Sequence, residues 1–325
     1  MNILPWQTSQ WEQLQQCKSN NRLPHALLLV GPAGVGKTYF AKVFAQSLLC
    51  EGKTDKPCGT CRQCLLFNAN NHPDYFDIKP DETSRVIKID QIRQLIVDIS
   101  KTAHVSDAQV VIVNPADMLN RNAANALLKT LEEPEGNVYI LLVTDRLPAL
   151  PATIRSRCQT IQFPVPNASL ATQWLTGQLQ DATEIPLLLR LAYGAPLHVL
   201  QFIEEDFLTV RKQLFDVWYA WTRDQATFTQ VVSAWNKLEI TQTLAFFQSW
   251  MIDVIRIKQC DKMHVINQDI IEPLSEISLK SSLDELYRLY AKTMESMRWV
   301  RSSVNLNSQL IIEDLLICSS THIAT

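Results

Sequence analysis

An α/β module built on a parallel sheet with flanking helices, followed by a wholly helical C-terminal part, is the fold class this 325-residue sequence predicts. Three observations carry it. Over residues 1–165, short apolar runs alternate with helical patterns, the mark of a parallel α/β sheet. A glycine-rich loop joins the first of those runs to the first long helical segment. All eight glycines lie at or before Gly194, and from residue 197 onward the only proline is Pro273, so turn chemistry stops where the helical part begins.

In chain order, the apolar runs are 26–30 (ALLLV), a weaker candidate at 75–78, 110–113 (VVIV), 138–143 (VYILLV) and 159–163 (QTIQF). Helical segments lie between them at 37–50, 90–101 and 122–133. Residues 166–208 read as a small helical unit, with Gly194 and Pro196 forming a turn between two of its helices. Beyond it, stretches such as 243–257 and 283–300 place apolar residues at i, i+3, i+4 and i+7. Five of the eight tryptophans follow residue 217, where they are expected to anchor a helical core. At about 150 residues per domain the length suits two domains or three small ones.

Composition narrows the function. Apolar residues are 46% and charged residues 19%, enough to build a core and exclude global disorder. The net charge of −3 argues against a chain that grips DNA by itself, because phosphate contacts favour basic proteins. Such a chain can still sit in an assembly that binds DNA. No apolar run reaches 18 residues, and the N-terminal MNILPWQTSQWEQ lacks the basic flank and apolar core of a signal peptide. A cytosolic protein is expected, without membrane contact, and its cysteines are then thiols or metal ligands before they are disulfides.

Gly31-Pro32-Ala33-Gly34-Val35-Gly36-Lys37-Thr38 matches G-x-x-x-x-G-K-[ST] in the strand–loop–helix context that motif needs. Glycines let backbone N–H groups curl around phosphate oxygens, and the helix N-terminus adds a positive dipole end. Lys37 would reach the β and γ phosphates, and Thr38 would offer its hydroxyl to Mg²⁺. Nucleotide binding, as ATP or ADP with Mg²⁺, is the expectation. Hydrolysis is not, because it needs a carboxylate at the end of a second buried strand. The candidate strand 110–113 ends in Asn114-Pro115. Asp117 either caps the following helix or replaces the missing carboxylate imperfectly; Asp98 is another acid that a hydrolysing enzyme would have to recruit.

Cys50, Cys58, Cys61 and Cys64 have the spacing C-x7-C-x2-C-x2-C, broken by the turn residues Pro57 and Gly59. Four thiols in 15 residues read as a structural Zn²⁺ site, a small zinc module over 50–64. An iron–sulfur cluster and unmetallated thiols are the alternatives, although Cys64 is followed by Leu65-Leu66 and not by the proline of ferredoxin runs. Lys53, Lys56 and Arg62 are balanced there by Glu51 and Asp55, which does not favour a zinc-centred nucleic-acid module. Finally, 138–144 ends in Thr144, and Ser156-Arg157-Cys158 follows a short helical stretch. Arg157 is either a solvated surface arginine or a finger that stabilises a γ-phosphate held by another subunit.

These pieces resemble one family when taken together and in order: LPHALLLVGPAGVGKT (23–38), the four cysteines, HPDYFDIKP (72–80), IKIDQIRQLI (87–96), VVIVNPADMLNRNAANALLKTLEEP (110–134) and TIRSRC (153–158). The chain resembles bacterial DNA polymerase III clamp-loader subunits, specifically those of the delta-prime type, strongly over 1–208 and more weakly at VNLNSQLIIEDLL (304–316). The resemblance implies an AAA+ nucleotide-binding domain over 1–165, a helical lid over 166–208 and a helical collar for oligomerisation over 209–325. It implies a hetero-pentamer with gamma or tau motor subunits and the delta subunit, which opens the sliding β clamp and closes it around primed DNA. In that setting the chain is a stator, Arg157 is an arginine finger acting in trans, and Thr144 takes the sensor-1 position.

Two departures separate it from the motors. Motor subunits carry Asp-Glu where this chain has Asn114-Pro115, and a lid arginine where it has leucine within Gly194-Ala195-Pro196-Leu197. The intact loop 31–38 points the other way and keeps a hydrolysing gamma/tau-like motor as the alternative. Nothing in the chain resembles a polymerase active site.

Overall fold

The computed structural model describes residues 2–52, 56–81, 84, 86–179, 181–260, 262–301 and 307–323. Lys53 and Asp55 of the cysteine segment, and residues 304–306 of the C-terminal stretch, lie outside them. The chain divides into two compact units, Met1–Leu179 with Gly194–His198, and Gln180–Tyr193 with Val199–Thr325.

The first unit is built on five parallel strands: β1 (Ala26–Val30), β2 (Tyr75–Ile78), β3 (Gln109–Val113), β4 (Val138–Thr144) and β5 (Gln159–Gln162). Their order in the sheet is β2-β3-β4-β1-β5. All five residues of β1 and of β3 are buried, which explains why β1 and residues 110–113 of β3 read as unbroken apolar runs. Successive side chains leave opposite faces of a strand, so each strand feeds two cores.

Leu27, Leu29, Val110, Ile112, Leu141 and Val143 pack on one face. They meet Trp11 of α1 (Thr8–Ser19) and Phe40 and Phe44 of α2 (Lys37–Leu49). Three shorter elements follow in sequence order, α3 (Arg62–Asn68), α4 (Ile89–Ile99) and α5 (Arg121–Glu132). On the other face Leu28, Val111, Val113, Ile140 and Leu142 pack with Ile92 and Leu95 of α4 and Ala124 and Leu127 of α5. Each fully buried Leu or Val contributes about 1.5–3 kcal/mol by leaving water. Helices α6 (Ala152–Arg155) and α7 (Ala168–Thr176) complete this unit.

The second unit contains α8 (Ile185–Leu191), most of α9 (Pro196–Glu204), α10 (Phe207–Trp221), α11 (Phe228–Trp235), α12 (Ile240–Gln259), α13 (Ile271–Lys280), α14 (Leu283–Arg301) and α15 (Ser308–Ile323). Its core is aromatic. Trp218, Trp235 and Trp250 are buried; Phe215 stands edge-on to Trp250, and Phe247 stands edge-on to Trp218 and tilted against Trp235. The Trp235 indole N–H donates to the Leu214 carbonyl over 3.2 Å, which relieves the cost of burying it. Gly194, with φ of +81°, makes the turn before α9. Helix α7 groups with the first unit and α8 with the second, so the contacts divide 166–208 between two bodies.

Candidate functional site

The loop 31–38 joins β1 to α2 as its spacing demands, and Gly36 caps α2 with a left-handed backbone, φ +88°. The glycines also answer to crowding. A Cβ on Gly31 would lie 2.1 Å from the Phe163 carbonyl oxygen, and one on Gly36 would lie 2.4 Å from Leu4 Cδ1. The N-terminal segment braces the loop. Trp6 Nε1 donates to the Val35 carbonyl at 2.9 Å, and Gln7 Nε2 donates to the carbonyls of Val35 and Gly36 at 3.1 and 3.0 Å. Trp6 in turn stands edge-on to Trp174, with ring centroids 5.2 Å apart. The motif itself carries no signal for Trp6 or Gln7, because they reach the loop from about thirty residues away in sequence.

The loop opens onto a cleft of about 510 Å³. Of the expected residues, Ala33, Gly34, Gly36, Lys37 and Thr38 line it, whereas Gly31, Pro32 and Val35 do not. Asn114 and Pro115 line it from the end of β3, and Asp145 from the end of β4. The strand order explains this meeting, because β4 lies between β1 and β3 and ends beside both. The Lys37 side chain is 3% exposed. Its ammonium donates to the Pro32 carbonyl at 2.6 Å and pairs with Asp145 Oδ1, also at 2.6 Å. His198, at the start of α9, packs its ring against Gly34. Burial lowers its pKa, opposed by the charge of Asp145.

One expectation needs correction. Asp117 neither caps the next helix nor lines the cleft. Asn120 caps α5, its Oδ1 accepting from the Ala123 N–H at 2.8 Å, because only the residue just before the first turn reaches that donor. The Asp117 side chain is 4% exposed; it accepts from the Thr144 hydroxyl at 2.9 Å and pairs with Arg146 Nε at 3.1 Å. Thr144 is buried at the end of β4, and its hydroxyl oxygen also accepts from the Arg146 N–H at 3.0 Å. The strand end therefore presents Asp145, not Thr144, to the loop. Asp98 lies on α4, where Lys101 and then Gln94 hold its carboxyl below the ordinary range.

The four cysteines converge. All four Sγ atoms lie within 4.8 Å of one another, with 3.9 Å between Cys50 and Cys61 and 4.0 Å between Cys58 and Cys64. Tetrahedral Zn²⁺ with bonds of about 2.3 Å places sulfurs about 3.8 Å apart, so the donor set fits that ion. A multi-iron cluster spreads its four thiolates over two or four irons and needs a wider cage. Backbone N–H groups of Gly52, Cys58, Cys61 and Cys64 aim at sulfurs at 3.3–3.4 Å, the support a thiolate needs. Hydrogen bonding from the Thr60 and Cys61 N–H groups lowers the Cys58 thiol to about 6, whereas burial pushes Cys64 up. His72 is not part of the cluster; its Nδ1 accepts the Asp74 N–H at 3.1 Å.

Arg157 follows α6 with its side chain 31% exposed. The guanidinium pairs with the Glu132 carboxylate at the end of α5 and donates to the Thr153 carbonyl at 2.9 Å. Glu132 was not anticipated, since it stands 25 residues away in sequence. Neighbouring Cys158 is inert by comparison, its thiol pushed up to about 12 by burial. Among the described residues no single helix is long and apolar enough to cross a membrane.

Residues 6–167 match the family model described as DNA polymerase III, delta subunit, and residues 205–320 match its C-terminal counterpart. The DNA polymerase III subunit delta' of Pseudomonas aeruginosa is 32% identical over 97% of this chain and 97% of its own length. That of Haemophilus influenzae is 30% identical over 99% and 97%. The subunit tau/gamma of H. influenzae is 38% identical, but over only 54% of this chain and 26% of itself.

Proposed function

The chain belongs to the family of DNA polymerase III delta' subunits, and from that premise we propose that it is the non-hydrolysing stator of a clamp loader. In this reading it stands beside a gamma or tau motor subunit and the delta subunit in a hetero-pentamer. The assembly loads the sliding β clamp onto primed DNA in the cytoplasm, and this chain touches clamp and DNA only through it. Residues 166–208 serve as the lid of the AAA+ module, and 209–325 as the collar through which subunits associate.

One observation carries the non-hydrolysing part. The residue that β3 presents to the cleft is Asn114, an uncharged amide, and the nearest acid in sequence, Asp117, is spent on Thr144 and Arg146. A phosphate chain would be held by the N–H groups of residues 33–38 and by Lys37, with Thr38 beside its Mg²⁺. No group in that set takes a proton from an attacking water, and Asp145, the carboxylate that lines the cleft, is paired with Lys37. The loop, braced by Trp6 and Gln7, then binds nucleotide without turning it over.

Arg157 supplies the second part. To reach a neighbour's γ-phosphate its guanidinium exchanges the Glu132 carboxylate for the phosphate oxygens, one anion for another, which keeps the transfer inexpensive. Cys50, Cys58, Cys61 and Cys64 would hold a structural zinc that ties the loop after α2 to α3. Elemental analysis of the purified chain should find one zinc per molecule.

The test is the clamp- and DNA-stimulated ATPase of the reconstituted assembly. An arginine finger is worth roughly 10³ or more at its own site, diluted in the assembly by the other motor sites. Arg157→Ala should lower the rate, and Lys37→Ala should leave it nearly unchanged. If Lys37→Ala lowers it as much, the chain is itself a hydrolysing gamma/tau-like motor.

A further inference from the structure

A lysine whose side chain is 97% withdrawn from water needs a counter-charge, and in a phosphate loop the nucleotide normally provides it. Here the chain provides one of its own. Asp145 Oδ1 lies 2.6 Å from Lys37 Nζ, and the Pro32 carbonyl takes a second ammonium proton at 2.6 Å. The positive end of α2 points into the same cleft, so the corner is built for an anion before any ligand arrives. Asp145 differs from a structural carboxylate in one respect: its side chain is 45% exposed, so it can leave Lys37 for water without unfolding anything.

We propose that Asp145 is an internal anion that competes with nucleotide phosphate for Lys37 and thereby sets the nucleotide affinity of the loop. The inference rests on the nucleotide-binding reading above and names the residue that tunes it. A phosphate entering the cleft must displace the carboxylate, which then stands beside a second anion, with Lys42 the other ammonium lining the cleft. A nucleotide-free loop is therefore already neutralised, and the chain can enter an assembly with its site empty.

The experiment is direct titration of the full chain with a fluorescent ADP analogue, displaced by unlabelled ADP, once with Mg²⁺ and once with chelator. Asp145→Asn keeps the shape and removes the charge; Asp145→Ala is the second variant. Both should tighten ADP binding at least fivefold in both buffers. The gain should vanish when Lys37 is alanine, because the competition acts only through that ammonium. Unchanged affinity in both variants would overturn the proposal while leaving nucleotide binding intact. Weaker binding confined to Mg²⁺ would also overturn it, and would make Asp145 a metal-ordering carboxylate. If ADP binds to none of the proteins at millimolar concentration, nucleotide binding falls together with the proposal. Binding by the variants alone would support it most strongly.

Discussion

Asp74 and Asp145 stand at opposite ends of one parallel sheet, and they are carboxylates of different kinds. Asp74 precedes β2 and is fully buried. It accepts from the N–H groups of His104, Val105 and Ser106 and from the Ser106 hydroxyl at 2.6–3.0 Å. Asp145 follows β4, is half-exposed, and meets one buried ammonium. At the N-terminal ends of the strands a carboxylate is saturated and holds a loop in place. At the carboxyl ends, where open α/β sheets bind ligands, it is held by a partner that a ligand can claim. Saturation and burial, more than charge, distinguish the structural acid from the one proposed to compete with phosphate.

Removing the saturated acid should have the largest effect. Asp74→Ala leaves several buried donors unpaired and should cost about 3–4 kcal/mol, read from urea unfolding. Burial raises the Asp74 carboxyl, but the hydrogen bonds from 104–106 outweigh it and hold the group below the ordinary value. Its folded-state pKa is thus depressed. Its contribution should be complete above the unfolded value near ~4, and be lost as pH falls through the folded value. A wild-type chain whose stability is flat through that acid range, relative to Asp74→Ala, would break the comparison.

Asp117 sharpens it from the carboxyl end, because it is buried there yet does not face the cleft. Asp117→Asn should cost about 1–3 kcal/mol in the same assay and leave nucleotide affinity unchanged. A change in nucleotide affinity would mean that the acid reaches the ligand after all. Asn114→Asp restores a charge at the end of β3 without supplying a residue to orient water. It should make ADP binding a few-fold more dependent on Mg²⁺ and create no measurable turnover in the isolated chain. The smallest expected effect is Glu132→Gln. An exposed ion pair with Arg157 is worth about 0–1 kcal/mol, so the melting temperature should barely move, while the rate of the reconstituted assembly reports whether Glu132 orients the finger.

Much of this was legible in the sequence. The runs 26–30 and 75–78 are β1 and β2 to the residue, and 110–113, 138–143 and 159–163 differ from their strands by one residue. The buried strands β1, β3 and β4 write themselves as apolar runs, the edge strands β2 and β5 carry a weaker pattern, and a phosphate loop needs its residues contiguous. The cysteine spacing foretold that four sulfurs meet, because Pro57 and Gly59 turn a short chain back on itself. Asp117 misled, since distance in sequence suggested a cap. Its true partners, Thr144 and Arg146, sit on another strand end.

By itself, then, the sequence determined the five strands, the helices at 37–50, 90–101 and 122–133 that alternate with them, the loop 31–38, the four-cysteine cluster and the absence of a carboxylate directly after β3, but not α1 or α3. These depend on neighbours within a turn or two, and local geometry sets them. Only the tertiary structure decided that Asp145 meets Lys37, that Glu132 holds Arg157, and that Trp6 and Gln7 brace the loop. Those pairings follow from the order β2-β3-β4-β1-β5, which inserts β4 between β1 and β3, and from the packing of helices on the sheet. Strand order arises from the simultaneous burial of both faces, a property of the whole chain that no local pattern encodes.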